Sequence, residues 1–143
     1  MVWGRCIMIK RFLFKKLVRD NSLVFFQREK IKTHYEILET PDCIQALKEK
    51  LTEEADEVLQ ATDMSNLIEE LGDLQEVIAA LMEKCHISQA EIETARDKKK
   101  LEWGGFSEGI YLQHIDMRSD SVWVNHFLRQ PHKYPVEILE ESN

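Results

Sequence analysis

Two acidic clusters, Glu53-Glu54-x-x-Glu57 and Glu69-Glu70-x-x-Asp73, stand inside two helix-forming segments with twelve residues between Glu57 and Glu70, and they constrain this chain most. A separation of three residues puts Glu54 beside Glu57, and Glu70 beside Asp73, on one side of an α-helix. The connection between the segments, Thr62 to Ser65, is short enough to predict an antiparallel pair. Four or five carboxylates then converge on one place and repel one another unless a cation intervenes. Mg²⁺, a hard ion that takes oxygen ligands, is the usual partner of such a set, with Mn²⁺ as its substitute. Either cluster alone reads better as a solvated acidic helix face. The pairing is what favours a metal.

The phase of the helices selects among the acids. At about 100° per residue, Ile44, Leu47, Leu51, Ala55 and Val58 define the inward stripe of the first helix, with Glu54 about 60° from its centre and Glu57 further round the same flank. Glu53 falls nearly opposite. On the second helix the stripe is Leu67, Leu71, Leu74, Ile78 and Leu81, with Glu70 about 80° from its centre, next to Asp73, while Glu69 faces away. Carboxylates at the edge of a helix seam are partly desolvated, which is costly for a bare anion and favourable for a metal ligand. The expected ligands are Glu54, Glu57, Glu70 and Asp73.

Helix signals punctuate the rest. Thr40-Pro41-Asp42 predicts an N-cap, a proline at the first helical position and an acid in the first turn, with the helix running to about Ala61. Asn66 with Glu69, and Ser88 with Glu91, have capping-box spacing and predict helices ending near Cys85 and at Gly104-Gly105. Asp20 or Asn21 is positioned to cap a short helix through Glu29. Thr33 to Leu38 is left open between a short strand and an extended linker. The expected fold is all-α, an antiparallel helical bundle with an irregular C-terminal extension from Gln113 to Asn143, broken by Pro131 and Pro135 and holding a short helix or strand near Val122 to Leu128.

A chain of 143 residues with 43% hydrophobic and 31% charged residues predicts one globular domain with a real core. The formal charge of -7 argues against nucleic acid as the main partner. Cys6, Cys43 and Cys85 are odd in number and form no CxxC pair, which fits the cytoplasm. The opening MVWGRCIMIKRFLFKK mixes apolar and basic residues, but its apolar runs are too short for a membrane span and lack a cleavage site; Met8 competes with Met1 as the start. The five histidines, His34, His86, His114, His126 and His132, share no ligand spacing and read as surface or core groups.

The order Lys16-Leu-Val-Arg-Asp20, Tyr35-Glu-Ile-Leu38, the two carboxylate motifs in register, a lysine-rich helix end, Gly-Gly-Phe106 and Gly109-Ile-Tyr-Leu112 resembles the MazG-like branch of the all-α nucleotide pyrophosphohydrolases. Phosphoribosyl-ATP pyrophosphohydrolase-like proteins are the nearest named relatives in that resemblance, which covers about Lys15 to Leu112. It implies a domain over 1–112 and a Mg²⁺-dependent enzyme. The implied reaction splits the α-β phosphate link of a nucleoside triphosphate, giving monophosphate and pyrophosphate, in a dimer or higher homo-oligomer. It also implies that Lys98, Lys99 and Lys100 reach the polyphosphate, although cations at a helix C-terminus equally complement the dipole with no ligand, and that Lys16 and Arg19 either contact phosphate or lock the N-terminal segment onto the bundle. This chain departs from the pattern at Ser22-Leu23, where Ile-Pro is usual, and at Trp103, where arginine is usual.

The chemistry of the residues agrees with that reaction class. A polyanion reaches a carboxylate site only through cations, and a carboxylate not fully engaged by metal, Glu53 or Glu57, could orient or deprotonate the attacking water. Hydrolysis of phosphoribosyl-ATP, a non-catalytic metal or nucleotide binder, and a helical oligomerisation module are the alternatives.

Overall fold

Helix α2, Thr40–Gln60, starts one residue earlier than its sequence signal. Glu39 takes the N-cap position in extended conformation, so Thr40 and Pro41 are already helical, where the missing proline N–H costs nothing. After Gln60 the chain turns through three residues into α3, Met64–Lys84. Asp63, not Asn66, caps α3: its carboxylate accepts from the Asn66 backbone N–H at 2.9 Å. Asp63 wins because it precedes the first helical turn, so its side chain reaches an N–H that has no carbonyl partner. The computed structural model describes residues 8–137. The expectations about Met1, Cys6 and the last residues of the extension lie outside them.

The helix ends follow local chemistry. α3 closes with His86 in the left-handed region at φ 55°, its N–H donating to the Glu83 carbonyl while Ile87 N–H donates to the Met82 carbonyl at 2.9 Å. That is a Schellman closure with histidine where glycine is usual. The same pattern ends α1, Ser22–Arg28, at Lys30 (φ 57°), with Ile31 N–H donating to Phe26. α4, Gln89–Trp103, opens on the expected capping box: Ser88 N–H donates to Glu91 at 2.8 Å, and Glu91 N–H donates to Ser88 Oγ at 3.3 Å. Gly104 follows α4 at φ 79°, a conformation glycine adopts without strain.

These elements make an all-α chain, with five helices and no strand among the described residues. Thr33 to Leu38 is therefore linker, since no second segment offers its backbone a ladder. The chain divides at Lys99–Lys100. In the first unit α2 and α3 pack as a hairpin and are the only helices there that pack together, so the expected bundle is, in one chain, a single antiparallel pair. In the second unit the short α5, Val124–Leu128, carries an edge-to-face aromatic row in which Phe127 meets His126 at 5.2 Å and Tyr134 at 5.0 Å. No helix among the described residues is long and apolar enough to cross a membrane.

The α2–α3 seam is rotated from the expected phase, and toward the acids. Its inward positions are Ile44, Leu47, Leu51, Glu54 and Val58 on α2, and Leu67, Glu70, Leu74, Val77 and Leu81 on α3, each spaced three and four in alternation. Ala55, Leu71 and Ile78, expected to face inward, are exposed. Apolar residues on α3 cover a wider arc than one partner helix can bury. Met64, Ile68, Leu71 and Ile78 therefore form a second, outward stripe, with Met64 at 70% and Ile68 at 63% exposure. Of the hydrophobic side chains described, only Leu47 and Val77 are buried.

Candidate metal centre

The seam carries a carboxylate where a coiled pair ordinarily carries leucine. Glu54 occupies such a position and is 3% exposed. Glu70, half-buried, occupies the corresponding position on α3, and Glu57 lies one turn along α2 on the exposed edge. Glu54, Glu57 and Glu70 each present a carboxylate oxygen within 4.8 Å of the other two. Three of the four expected ligands are thus brought together. The fourth, Asp73, is half-buried on the same side of α3, and its Oδ1 accepts from Arg19 Nη2 at 2.7 Å.

Each acid is held by a different neighbour. Lys50 Nζ, largely sheltered, meets Glu54 Oε1 at 2.7 Å and Glu53 Oε1 at 3.1 Å. Lys16 also pairs with Glu53. Asn66 Nδ2 donates to Glu70 Oε1 at 2.8 Å. Glu53, expected opposite the seam, is instead partly covered, because the N-terminal segment crosses that flank of α2. The segment is shaped for this. Lys15 takes a left-handed turn at φ 50°, Phe14 stacks edge-on against Phe26 of α1 at 5.9 Å, and Ser22 N–H donates to the Arg19 carbonyl. A wheel drawn for α2 and α3 alone carries no information about that third layer.

Charge is balanced unevenly across the cluster. Burial raises the Glu53 carboxyl, but hydrogen bonds from Lys16 and Lys50 outweigh it and hold the group below its ordinary value. Burial lowers the Lys50 ammonium, and its bonds to Glu54 and Glu53 outweigh that and hold it above. Glu57 is held above the usual carboxylate range by the Glu54 carboxyl with which it can share a proton, then by burial, then by repulsion from Glu54, Glu70 and Glu53. Glu54 Oε2 is buried with no hydrogen-bond partner. Buried carboxylate oxygens are seldom left so, since the lost hydration is not replaced.

These residues fit a divalent cation. The donors are carboxylate oxygens from two facing helices, no sulfur or imidazole belongs to the group, and one oxygen is desolvated and unpaired. That donor set selects hard ions such as Mg²⁺ or Mn²⁺. Lys16 and Arg19 lie on the cluster through Glu53 and Asp73. Lys98 and Lys99 are exposed on α4, which packs on neither α2 nor α3 within the first unit, and they pair with none of these acids. Glu69 is exposed, as its phase predicts. Lys50 and Asn66 were not singled out as site residues by the sequence, although both stand four residues before the acid they hold, a spacing at which helical side chains meet.

The raised Glu57 carboxyl sets a pH dependence. Its folded value exceeds its unfolded one, so the stability it contributes is complete below the unfolded value and is lost as pH rises through the folded value. At neutral pH the charge on Glu57 therefore opposes folding. Glu57→Gln is expected to raise the melting temperature of the metal-free protein at about pH 7 by roughly 1–2 °C, a small shift because the group is exposed, and to change it little near pH 4. Thermal scans at both pH values check this; an equal shift at both would assign the effect to something other than charge.

Comparison with protein-family models, with curated proteins and with solved structures gives no match to this chain.

Proposed function

We propose that this chain is a Mg²⁺-dependent nucleotide pyrophosphohydrolase, cleaving the α-β phosphate bond of a nucleoside triphosphate or related nucleotide to monophosphate and pyrophosphate. The observation that carries the reading is the convergence of Glu54, Glu57 and Glu70 across the α2–α3 seam, with Glu54 Oε2 buried and unpaired. The resemblance of the in-register motifs and the Lys16 to Asp20 segment to the MazG-like proteins supports the same reaction. Mg²⁺ bound by Glu54, Glu57 and Glu70, with Asp73 beside them, would supply charge stabilisation for the departing pyrophosphate.

The chain's own residues divide the remaining work. Lys16 and Arg19, already beside the cluster, are the cations available to polyphosphate oxygens, which would compete with Glu53 and Asp73 for them. Glu57 is the acid suited to orient the attacking water and accept its proton: it is exposed and its proton affinity is raised. Glu53, bound to two lysines and shifted the other way, is the poorer base. Water adds to the α-phosphorus, its proton passes to the carboxylate, and pyrophosphate leaves.

The outward stripe on α3 supports a homo-oligomer and also favours a second reading, an oligomerisation module without turnover. An assay of pyrophosphate release over a panel of nucleoside triphosphates, deoxynucleotides and phosphoribosyl-ATP, with and without Mg²⁺, separates the two. The enzyme reading expects Mg²⁺-dependent pyrophosphate from at least one member. Orthophosphate as the direct product, or no turnover over the panel, contradicts it.

A further inference from the structure

The Asn66 side chain has been released from the task its position predicts. Its spacing to Glu69 predicts the N-cap of α3, yet Asp63 supplies the cap, which leaves Asn66 at the third helical position and uses only its backbone N–H. The side chain turns instead along the helix to Glu70, with Nδ2 at 2.8 Å from Oε1. The amide orientation is fixed by chemistry, because an ionised carboxylate only accepts and the amide nitrogen only donates.

Glu70 sits in the seam opposite Glu54, and both are members of the oxygen cluster. Each has one oxygen taken by a donor four residues earlier on its own helix: Lys50 holds Oε1 of Glu54, and Asn66 holds Oε1 of Glu70. On Glu54 the oxygen left over is buried and unpartnered, an independent mark that something besides protein completes this place. The two donors differ in charge. Lys50 neutralises the buried Glu54, whereas Asn66 fixes the Glu70 rotamer without bringing a positive charge toward a cation.

We propose that Asn66 is a positioning residue for a divalent cation, holding Oε1 of Glu70 so that its second oxygen is presented to the ion beside Glu54. The inference rests on the metal reading of the cluster and adds to it a residue outside both carboxylate motifs. A donor of this kind lowers the entropy lost when the ligand is fixed.

The test is Mn²⁺ binding to the full chain, followed by electron paramagnetic resonance of the free ion, with melting of the metal-free protein measured alongside. Asn66→Ala should weaken Mn²⁺ binding by about tenfold and leave metal-free melting unchanged, because the cap uses only the backbone of that residue. Asn66→Gln, which keeps an amide donor with reach to Glu70, should recover most of the affinity. Parent-like Mn²⁺ binding by Asn66→Ala overturns the inference and leaves the metal reading intact. A loss that comes with lower metal-free melting and is not recovered by Asn66→Gln makes the residue structural and also overturns it. If the parent itself binds no Mn²⁺, both fall together.

Discussion

Glu54→Gln is expected to lower pyrophosphate release by more than about 100-fold while raising the melting temperature of the metal-free protein, two effects of opposite sign from one atom. In the parent, Oε1 is satisfied by Lys50, Oε2 is buried with no partner, and one Glu54 oxygen lies within 4.8 Å of an oxygen of Glu57 and of Glu70. Glutamine can keep the contact to Lys50 through its carbonyl and turn its amide toward those carboxylates, replacing repulsion with a hydrogen bond. Relieving one buried unsatisfied group contributes on the order of 1 kcal/mol, roughly 3–4 °C in a chain of this size. The metal would lose its most sheltered ligand. Circular dichroism melting and the pyrophosphate assay on the same preparation check both halves; a variant that loses activity and stability together would make Glu54 a fold residue only.

Placing charge on the outer stripe should have the second large effect. Ile68→Lys combined with Ile78→Lys is expected to turn an oligomer into a monomer and lower melting by roughly 10 °C or more. Among its apolar residues the hairpin buries only Leu47 and Val77, at 7% and 8% exposure. At about 1.5–3 kcal/mol per fully buried aliphatic side chain, these cannot offset the entropy of ordering two long helices. Met64, Ile68, Leu71 and Ile78 lie together on the face that a second copy would cover. Sedimentation equilibrium on parent and variant decides the matter. A monomeric parent, or a variant with the parent's subunit number and melting temperature, removes the stripe as an interface.

Much of the fold was legible because local chemistry wrote it. The Ser88–Glu91 box, the glycine after Trp103 and the proline at Pro41 place helix boundaries by mechanisms that need no tertiary partner. The spacing of the acids likewise carried Glu54, Glu57 and Glu70 into one cluster. Two kinds of information were missing. A wheel weighted by Leu, Ile and Ala centres the seam on apolar residues, so it turned Leu71 and Ile78 inward and set Glu54 and Glu70 at the edge. The structure places those two acids in the seam and leaves the two aliphatic residues outside. Nor does helix phase register the segment from Lys15 to Arg19, which covers the flank of Glu53 and reaches Asp73 from 54 positions away in sequence. His86 closing α3 without glycine was hidden for a related reason: the Glu83 and Met82 carbonyls compensate a conformation that the residue type alone disfavours.

Whether the seam acids hold a cation is read from the melting temperature of the full chain in millimolar MgCl₂ or MnCl₂ against sodium chloride of matched ionic strength. A cation held by Glu54, Glu57 and Glu70 binds only the folded seam, so stabilisation should follow mass action, about 2.7 kcal/mol at a hundredfold excess over the dissociation constant, and should vanish in Glu54→Gln. A solvated acidic face responds to ionic strength alone. Divalent metal should shift melting several degrees beyond sodium chloride in the parent and not at all beyond it in Glu54→Gln. A shift that sodium chloride reproduces, or one that survives in Glu54→Gln, would contradict the metal reading.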